Sequence, residues 1–458
     1  MKGELSVKSR KQSESAMATA PISQLLWRNS LPLMVSLLAH SLYNFVDSVF
    51  VSHVSEKALT ALSMSAPVQA LIGALGLGIA VGLNSAISKA MGEHDEQKVR
   101  DTASASLWLA VAAWMIVVII CALGVEPYFA WQSAGDPEIV EAGVSYLRIC
   151  MLFSLGTFGQ WVYDRFIIAT GRSTLFLITL SVASVVNLIL DPIFIFGWLG
   201  LPAMGTTGAA IATVIGQFCG AIAGIILNEK KNPEIHARFR FRIPFRSIVD
   251  ILKVGIPTSV MQGTVALTGI LMNTMLQAFS STAVAILGIC NRIQGLATLP
   301  PHGITNALIP IVAYNYGAKN RERIQQSIRW AYLYSFALMG MILLCLELFP
   351  RQILTLFDAS EKMLSIGIPA IRIMAASYFL CVIGLIGSTV FQALGKGNYS
   401  MYLTLTRQVA LPLAFVYLLS TTGKLTLVWY AFLLSEILSA PLTIFLLLRI
   451  RKNILDKL

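Results

Sequence analysis

Charge is the scarcest ingredient of this 458-residue chain: Asp, Glu, Lys and Arg supply 12% of it, against 56% hydrophobic residues. A soluble domain carries about twice that charged share, ~25%. With a mean hydropathy of +0.72, the composition excludes a soluble globular protein. Cysteine is also sparse. Cys121, Cys150, Cys219, Cys290, Cys345 and Cys381 all sit in apolar runs, without the paired spacings of a zinc site or a disulfide framework. They read as small packing residues, and no structural metal is expected. No glycine-rich phosphate loop with its lysine occurs, so nothing points to ATP as the energy source or to a resident cofactor. The polar start MKGELSVKSRKQSESAMATA lacks the apolar core and small-residue cleavage site of a secretory signal.

What the chain has instead is apolar length. Twelve segments can each cross a ~30 Å hydrocarbon core as a helix: roughly 24–53, 58–90, 101–125, 139–168, 174–196, 203–228, 248–278, 283–316, 324–349, 363–394, 399–420 and 426–448. The net charge of +11 reports orientation rather than a nucleic-acid ligand. Lys2, Lys8, Arg10, Lys11 and Arg28 precede span one; Lys89, Lys98 and Arg100 follow span two; Arg165 and Arg172 follow span four. Lys230, Lys231, Arg238, Arg240, Arg242 and Arg246 lie between spans six and seven, with Lys319, Arg321 and Arg323 after span eight and Arg449, Arg451 and Lys452 after span twelve. Connections of the opposite parity hold only Lys57, Arg351, Lys362 and Lys424. The positive-inside rule therefore puts both termini and the 229–247 loop in the cytoplasm, in a multi-pass protein of the cytoplasmic membrane.

The chain is duplicated. Sliding it so that Pro32 falls on Pro257 also puts Ala58 on Ala283, Leu62 on Leu287, Gln69 on Gln294, Gly78 on Gly303 and Gly92 on Gly317. One residue out of that register, Arg148-Ile149 falls on Arg372-Ile373 and Ala169-x-Gly171-Arg172 on Ala393-x-Gly395-Lys396. Six spans per copy is an even number, so both copies share one orientation, with an expected pseudo-twofold axis along the membrane normal. The expected fold is an all-α integral membrane protein of two six-helix bundles. Its parts are a cytoplasmic tail (1–23), an amino lobe (24–228), a cytoplasmic linker (229–247), a carboxy lobe (248–450) and a second tail (451–458). Two bundles about a cleft suit an alternating-access transporter.

The repeat supplies its own control. Asp47 in span one corresponds to Met272, Asp191 in span five to Phe415, and Asp164 in span four to Ser388, so the buried carboxylates are expected to cluster in the amino half. Ser36, His40, Tyr43 or Asn44, and Asp47 recur three or four residues apart, on one helix face. Ser184, Asn187 and Asp191 form a similar stripe, and Pro192 cannot donate to the carbonyl of Leu188, which makes it a candidate hinge. Interhelical hydrogen bonding alone explains the hydroxyls. It does not explain two carboxylates, because an amide would provide the same bond without the ~2.5 kcal/mol or more that a charge costs at mid-bilayer. His40 could act as a pH-sensitive group, but a lone histidine on a polar helix face is more often a hydrogen-bonded packing residue. A substrate cleft could draw on Gln69, Met261, Gln262, Met272, Asn273, Arg292 and Gln294, where methionines offer adaptable surface.

YNFVDSVFVS (43–52), GLGIAVGLNSAISKAMGEHD (76–95), ATGR (169–172), NLILDPIFIFG (187–197) and GTTGAAIAT (205–213), on a duplicated six-span unit, resemble the MATE (multidrug and toxic compound extrusion) transporters over residues 24–450. The resemblance implies twelve helices in two lobes and export of cationic or amphipathic small organic compounds in exchange for H⁺ or Na⁺. Like the branch often called DinF-like, the sequence has an aspartate in span one, Asp47, and an Asn and Asp one turn apart in span five, Asn187 and Asp191. The same resemblance adds Thr213 in span six and Tyr146 in span four. A different branch uses acids within spans seven and ten, and this sequence has none in the interior of either. The cation-coupling set is then Asp47, Asn187, Asp191 and Thr213, able to take a proton or a Na⁺, with Tyr43, Asn44, His40, Tyr146 and Asp164 as a surrounding network. The protein is expected to work as a monomer in the lipid bilayer and not as an enzyme. The alternatives are an exporter or flippase of a lipid-linked precursor, using Arg292 and Arg407 as its basic groups, and an intramembrane enzyme using the two aspartates as acid and base.

Orientation is directly testable. A cysteine at Lys57 is expected to react with a membrane-impermeant maleimide on intact cells, and one at Lys230 only after lysis; labelling of Lys230 from outside would invert the topology.

Overall fold

The computed structural model describes residues 17–133, 136–240, 243–357 and 359–458, and leaves aside the side chains of Asn44, Ala266 and Ile270. Lys2, Lys8, Arg10, Lys11 and Arg242 of the charge pattern lie outside the described residues. Regular structure among the described residues is helical. The first copy contains α1 (Ile22–Ser52), α2 (Glu56–Gly92), α3 (Glu96–Gln132), α4 (Pro137–Leu152), α5 (Leu155–Ala169), α6 (Ser173–Phe196) and α7 (Gly205–Lys231). The second contains α8 (Phe245–Gln277), α9 (Ser281–Ala297), α10 (Leu299–Gly317), α11 (Arg321–Leu348), α12 (Pro350–Thr355), α13 (Glu361–Ala393), α14 (Gly397–Leu405), α15 (Leu411–Ser420) and α16 (Leu425–Asn453). A π-helical turn at Thr406–Ala410 joins α14 to α15.

Among the described residues, ten helices are long and apolar enough to cross a membrane, and twelve spans result when the pairs α4–α5 and α9–α10 each count as one. Spans four and eight, expected to be continuous, are in fact bent by 45° and 44°. The second bend has a local cause, because Pro300 and Pro301 open α10 and cannot donate to the preceding turn. The first has no proline. There the Trp114 indole of α3 donates to the Leu152 carbonyl at 2.8 Å, occupying an acceptor that the helix ladder would otherwise use.

The duplication extends to the helix starts. Ser55, Asp95 and Asp136 cap α2, α3 and α4 by accepting from backbone amides, and Ser280, Asn320 and Ser360 do so for α9, α11 and α13 at the corresponding places. The left-handed residues His94 and Lys319, both at φ 56°, are another matched pair. At the opposite end of the bundle from the ATGR turn, Lys57 bridges Asp136 at 3.1 Å and Glu138 at 3.0 Å. Its ammonium holds the Asp136 carboxyl below the usual carboxylate range.

The chain forms two compact units, one of Val35–Ser259 with the chain before Pro21, the other of Pro21–Met34 with Val260–Leu458. The start of α1 thus belongs with the second copy and the start of α8 with the first, a crossing the lobe boundaries expected at 228 and 248 did not include. In the first unit α8 crosses α2 so closely that a Cβ on Gly78 would lie 2.5 Å from the Gly255 carbonyl oxygen, and one on Gly82 only 2.2 Å from that of Ile251. In the second unit Gly303, the counterpart of Gly78, has the Met34 amide nitrogen 3.0 Å from where its Cβ would be. Pro32 and Pro257 lie just before these transfers, inside α1 and α8.

The linker is fastened rather than loose. Asn232 donates to the Phe166 carbonyl at 3.1 Å, and Arg172 holds Glu234 through two hydrogen bonds of 2.7 Å. Arg240 donates its amide to Ser104 at 3.2 Å and its guanidinium to Asp101 at 2.6 Å, while Phe239 packs edge-on against Trp108.

Gly82→Val should destabilise the fold by about 2–3 kcal/mol through overpacking against backbone. Thermal unfolding in detergent checks it against Gly124→Ala, where no atom lies within 4 Å of the added Cβ. Equal melting temperatures for the two variants would contradict the close crossing.

Candidate functional site

The first unit builds its polar centre where α1, α6 and α7 meet. The packing of α6 on α7 is the most extensive helix contact among the described residues, and small residues make it possible. A Cβ on Gly208 would lie 2.5 Å from the Phe194 carbonyl oxygen, and one on Gly216 would lie 2.7 Å from that of Ala183 and 3.1 Å from the Asn187 Cβ. Membrane helices lack a hydrophobic force between them and depend on such close approach. It brings α7 near enough for the Asn187 amide to reach Thr213.

Asn187 Nδ2 donates to Asp191 Oδ1 within α6, at 3.3 Å, and to Thr213 Oγ1 on α7, also at 3.3 Å. The Asp47 carboxyl of α1 lies within hydrogen-bonding reach of the Asp191 carboxyl. Asp191 and Asn187 are 0% and 2% exposed, Asp47 9%. One oxygen of each, Asp47 Oδ1, Asp191 Oδ2 and Asn187 Oδ1, finds no hydrogen-bond donor among the described residues. No lysine, arginine or histidine among them forms an ion pair with either carboxyl.

Two ionised carboxylates in contact repel, and in a water-poor bundle that repulsion is little screened. The arrangement is stable when one positive charge is added. A proton on one acid lets it donate to the other, and the carboxyl and amide oxygens of the pair and Asn187 are of the kind a small hard cation takes as ligands. Among the described residues no group of three His, Cys, Asp or Glu could hold a metal ion. Carboxylate and amide oxygens are the donor type of hard cations.

Around this centre, the Tyr43 hydroxyl is within hydrogen-bonding reach of Thr213, and the buried Tyr146 accepts from Gln69 Nε2 at 3.0 Å. Gln69 therefore belongs to the first unit's own network. Toward the Lys57 end, Val51, Ala58, Tyr146, Ile195, Ala209 and Ala210 form a buried apolar cluster. Val51 and Ile195 are one turn beyond Asp47 and Asp191, so the polar centre is flanked on that side by buried apolar packing. Helix α6 runs unbroken through Pro192.

Other candidates lie apart. The His40 side chain is exposed, its ring 5.6 Å from that of Tyr43, and the side chain of Asn44 is outside the described residues. Asp164 is buried and accepts from Thr179 Oγ1 at 2.6 Å. Thr179 stands three turns before Asp191 on α6, about 18 Å along the axis. In the second unit Ser388 and Thr404 make the corresponding contact at 3.2 Å, so that bond is part of the architecture. Of the cleft candidates, Met272 is buried, Gln262, Asn273 and Arg292 are exposed, and Met261 and Gln294 are half-buried, all in the second unit.

The fully buried acids among the described residues, Asp47, Asp164 and Asp191, all lie in the amino half. Glu436 of α16 is half-buried in the second unit, 2.7 Å from Arg407 on the π-helical turn. Arg407 is itself 4% exposed, and its side chain lies where a Cβ on Gly384 would be, 2.6 Å from its Cδ. It is a buried, neutralised partner rather than an open basic group for an anionic substrate. Glu436 was legible as an acid in span twelve, but nothing in the sequence pairs it with an arginine on another helix.

Asn187→Ala leaves Asp191 and Thr213 without their shared donor. A hydrogen bond to a charged group contributes about 1.5–3 kcal/mol, so the cation concentration giving half-maximal thermal stabilisation should rise at least tenfold. An unchanged midpoint would remove Asn187 from the site.

The MatE family model matches residues 32–193 and again 257–418, in the same register that superposes Pro32 on Pro257, and so covers more than half the chain. Multidrug export protein MepA of Staphylococcus aureus (strain N315) is 24% identical over 423 residues, 92% of each chain. A multidrug resistance MATE family transporter of the MOP superfamily, solved in an outward-facing conformation, superposes with a TM-score of 0.88 at 26% identity, covering 96% of this chain and 98% of that one. A MOP superfamily transporter from Pyrococcus furiosus, described as having reverse polarity of its binding pocket, gives 0.87 at 25% identity over 97% and 98%. With a duplicated helical fold and a two-carboxylate centre inside the first copy, the chain belongs to the MATE family of membrane transporters.

Proposed function

We propose that the protein exports cationic or amphipathic organic compounds by alternating access, in exchange for H⁺ or Na⁺ taken up at Asp47, Asn187, Asp191 and Thr213. The supporting observation is that the Asp47 and Asp191 carboxyls lie within hydrogen-bonding reach of each other, with no cation among the described residues paired to either. Such a pair holds one ion and surrenders it when its surroundings change. The name of the staphylococcal relative, a multidrug export protein, supports the substrate class.

In this reading, ion uptake neutralises the pair and lets α1 and α6 close on one another, with Pro192 as pivot; ion release separates them. Tyr43 and Tyr146 orient the surrounding hydrogen bonds. One charge moved through 100 mV yields roughly 2.3 kcal/mol, enough for a substrate gradient of about fiftyfold. The protein works as a monomer in the cytoplasmic membrane, with both termini cytoplasmic.

Efflux from proteoliposomes, with Na⁺ and pH gradients imposed separately, tests the proposal. One gradient should drive efflux in the wild type, and Asp47→Asn and Asp191→Asn should each lower the driven rate at least tenfold. Full coupled transport by both variants would show that the ion binds elsewhere.

A further inference from the structure

The second unit has a groove of about 520 Å³ between α11, α13 and α16, closed at its end by Leu455. Its wall is graded. On α11, Gln325, Arg329, Tyr332 and Phe336 face it at helical spacing, polar first and aromatic last, over about 16 Å. Helix α16 runs the other way, so its Leu447 lies beside the aromatic end and its Arg451 beside the polar end. Head and tail of the groove are therefore chemically distinct.

The polar end has unused capacity. Gln325 Nε2 is buried and has no hydrogen-bond partner among the described residues. Arg329 is exposed and makes no ion pair there. Arg451 has only Asp456, at 4.0 Å, and that carboxylate is held more closely by Arg321 at 2.8 Å.

The first unit shows what this corner of the fold requires. There α3, α5 and α7 are the counterparts of α11, α13 and α16, and in the register of the helix caps Ser104 falls on Arg329. The linker occupies the position: Phe239 packs on Trp108, Arg240 bonds Ser104 and Asp101, and Asn232 bonds α5. In the second unit the same corner is a groove. Its two arginines call for an anionic head, and its aliphatic and aromatic wall for an acyl chain; basic pockets between membrane helices recognise anionic lipid headgroups.

We propose that this groove binds an anionic phospholipid from the leaflet at the basic end of the bundle, with the phosphate between Arg329 and Arg451 and one acyl chain along Tyr332, Phe336 and Leu447. The lipid takes the place that the linker fills in the first unit. The basic chain start, with Lys2, Lys8, Arg10 and Lys11 against Glu4 and Glu14, has the wrong charge for this site. The proposal is independent of the ion site.

Native mass spectrometry of the full-length detergent-purified protein, titrated with phosphatidylglycerol or phosphatidylcholine, tests it. The wild type should bind phosphatidylglycerol preferentially, and Arg329→Gln with Arg451→Gln should weaken that binding about thirtyfold. Arg449→Gln with Lys452→Gln removes the same charge from residues that do not line the groove and should change it less than twofold. Leu447→Trp fills the tail end without altering charge and should weaken both lipids while leaving thermal unfolding near wild type. Equal affinity of the wild type for the two lipids would overturn the proposal. So would wild-type phosphatidylglycerol binding in the Arg329/Arg451 variant, or a concentration-dependent dimer lost in that variant, which would seat a second copy there.

Discussion

Two carboxyl groups in contact inside an apolar helix bundle cannot both stay charged without a cation, and the arrangement of the first unit follows from that. Asp47 and Asp191 reach each other from α1 and α6. Asn187 ties one of them to Thr213 on α7, and three oxygens find no donor among the described residues. The glycines at 208 and 216 belong to the same requirement, because a side chain there would push α7 away from α6 and take Thr213 out of reach. On one side of the pair the packing is apolar and buried. A site so built has little affinity for a neutral environment and a strong demand for one positive charge.

The second unit meets the problem of buried charge differently. Phe415 and Met272 stand where the first unit has Asp191 and Asp47, and its half-buried Glu436 comes with Arg407 attached. A pair whose cation is a side chain cannot exchange it. The two copies thus differ in their polar centres, and the shared features (the caps at Ser55 and Ser280, the left-handed residues His94 and Lys319, the glycines at 78 and 303) are those that fold each copy.

Much of this was legible in the sequence, for physical reasons. Spans announce themselves through apolar length, and the duplication through residue register. Asp47, Asn187 and Asp191 stood out because a carboxylate in such a run needs a reason. Contacts between distant helices were not legible. The bend in span four depends on Trp114 reaching across from α3 to the Leu152 carbonyl, the exchange of helix starts between units depends on glycine crossings in two different spans, and the pairing of Arg407 with Glu436 depends on a π-helical turn. Asp164 of α5, which had the chemistry of the coupling network, bonds Thr179, three turns from Asp191 on α6, in a contact the second copy makes between Ser388 and Thr404.

The central claim is that Asp47 and Asp191 together hold a single positive charge. Infrared difference spectroscopy of the purified protein reads protonated carboxyl groups directly, and can be run as a titration with pH at fixed Na⁺ and with Na⁺ at fixed pH. The account predicts one exchangeable proton, or one Na⁺ that displaces it, shared by the pair and absent in both Asp47→Asn and Asp191→Asn. Two fully ionised carboxylates at neutral pH in the absence of Na⁺, or an unchanged signal in either variant, would contradict it.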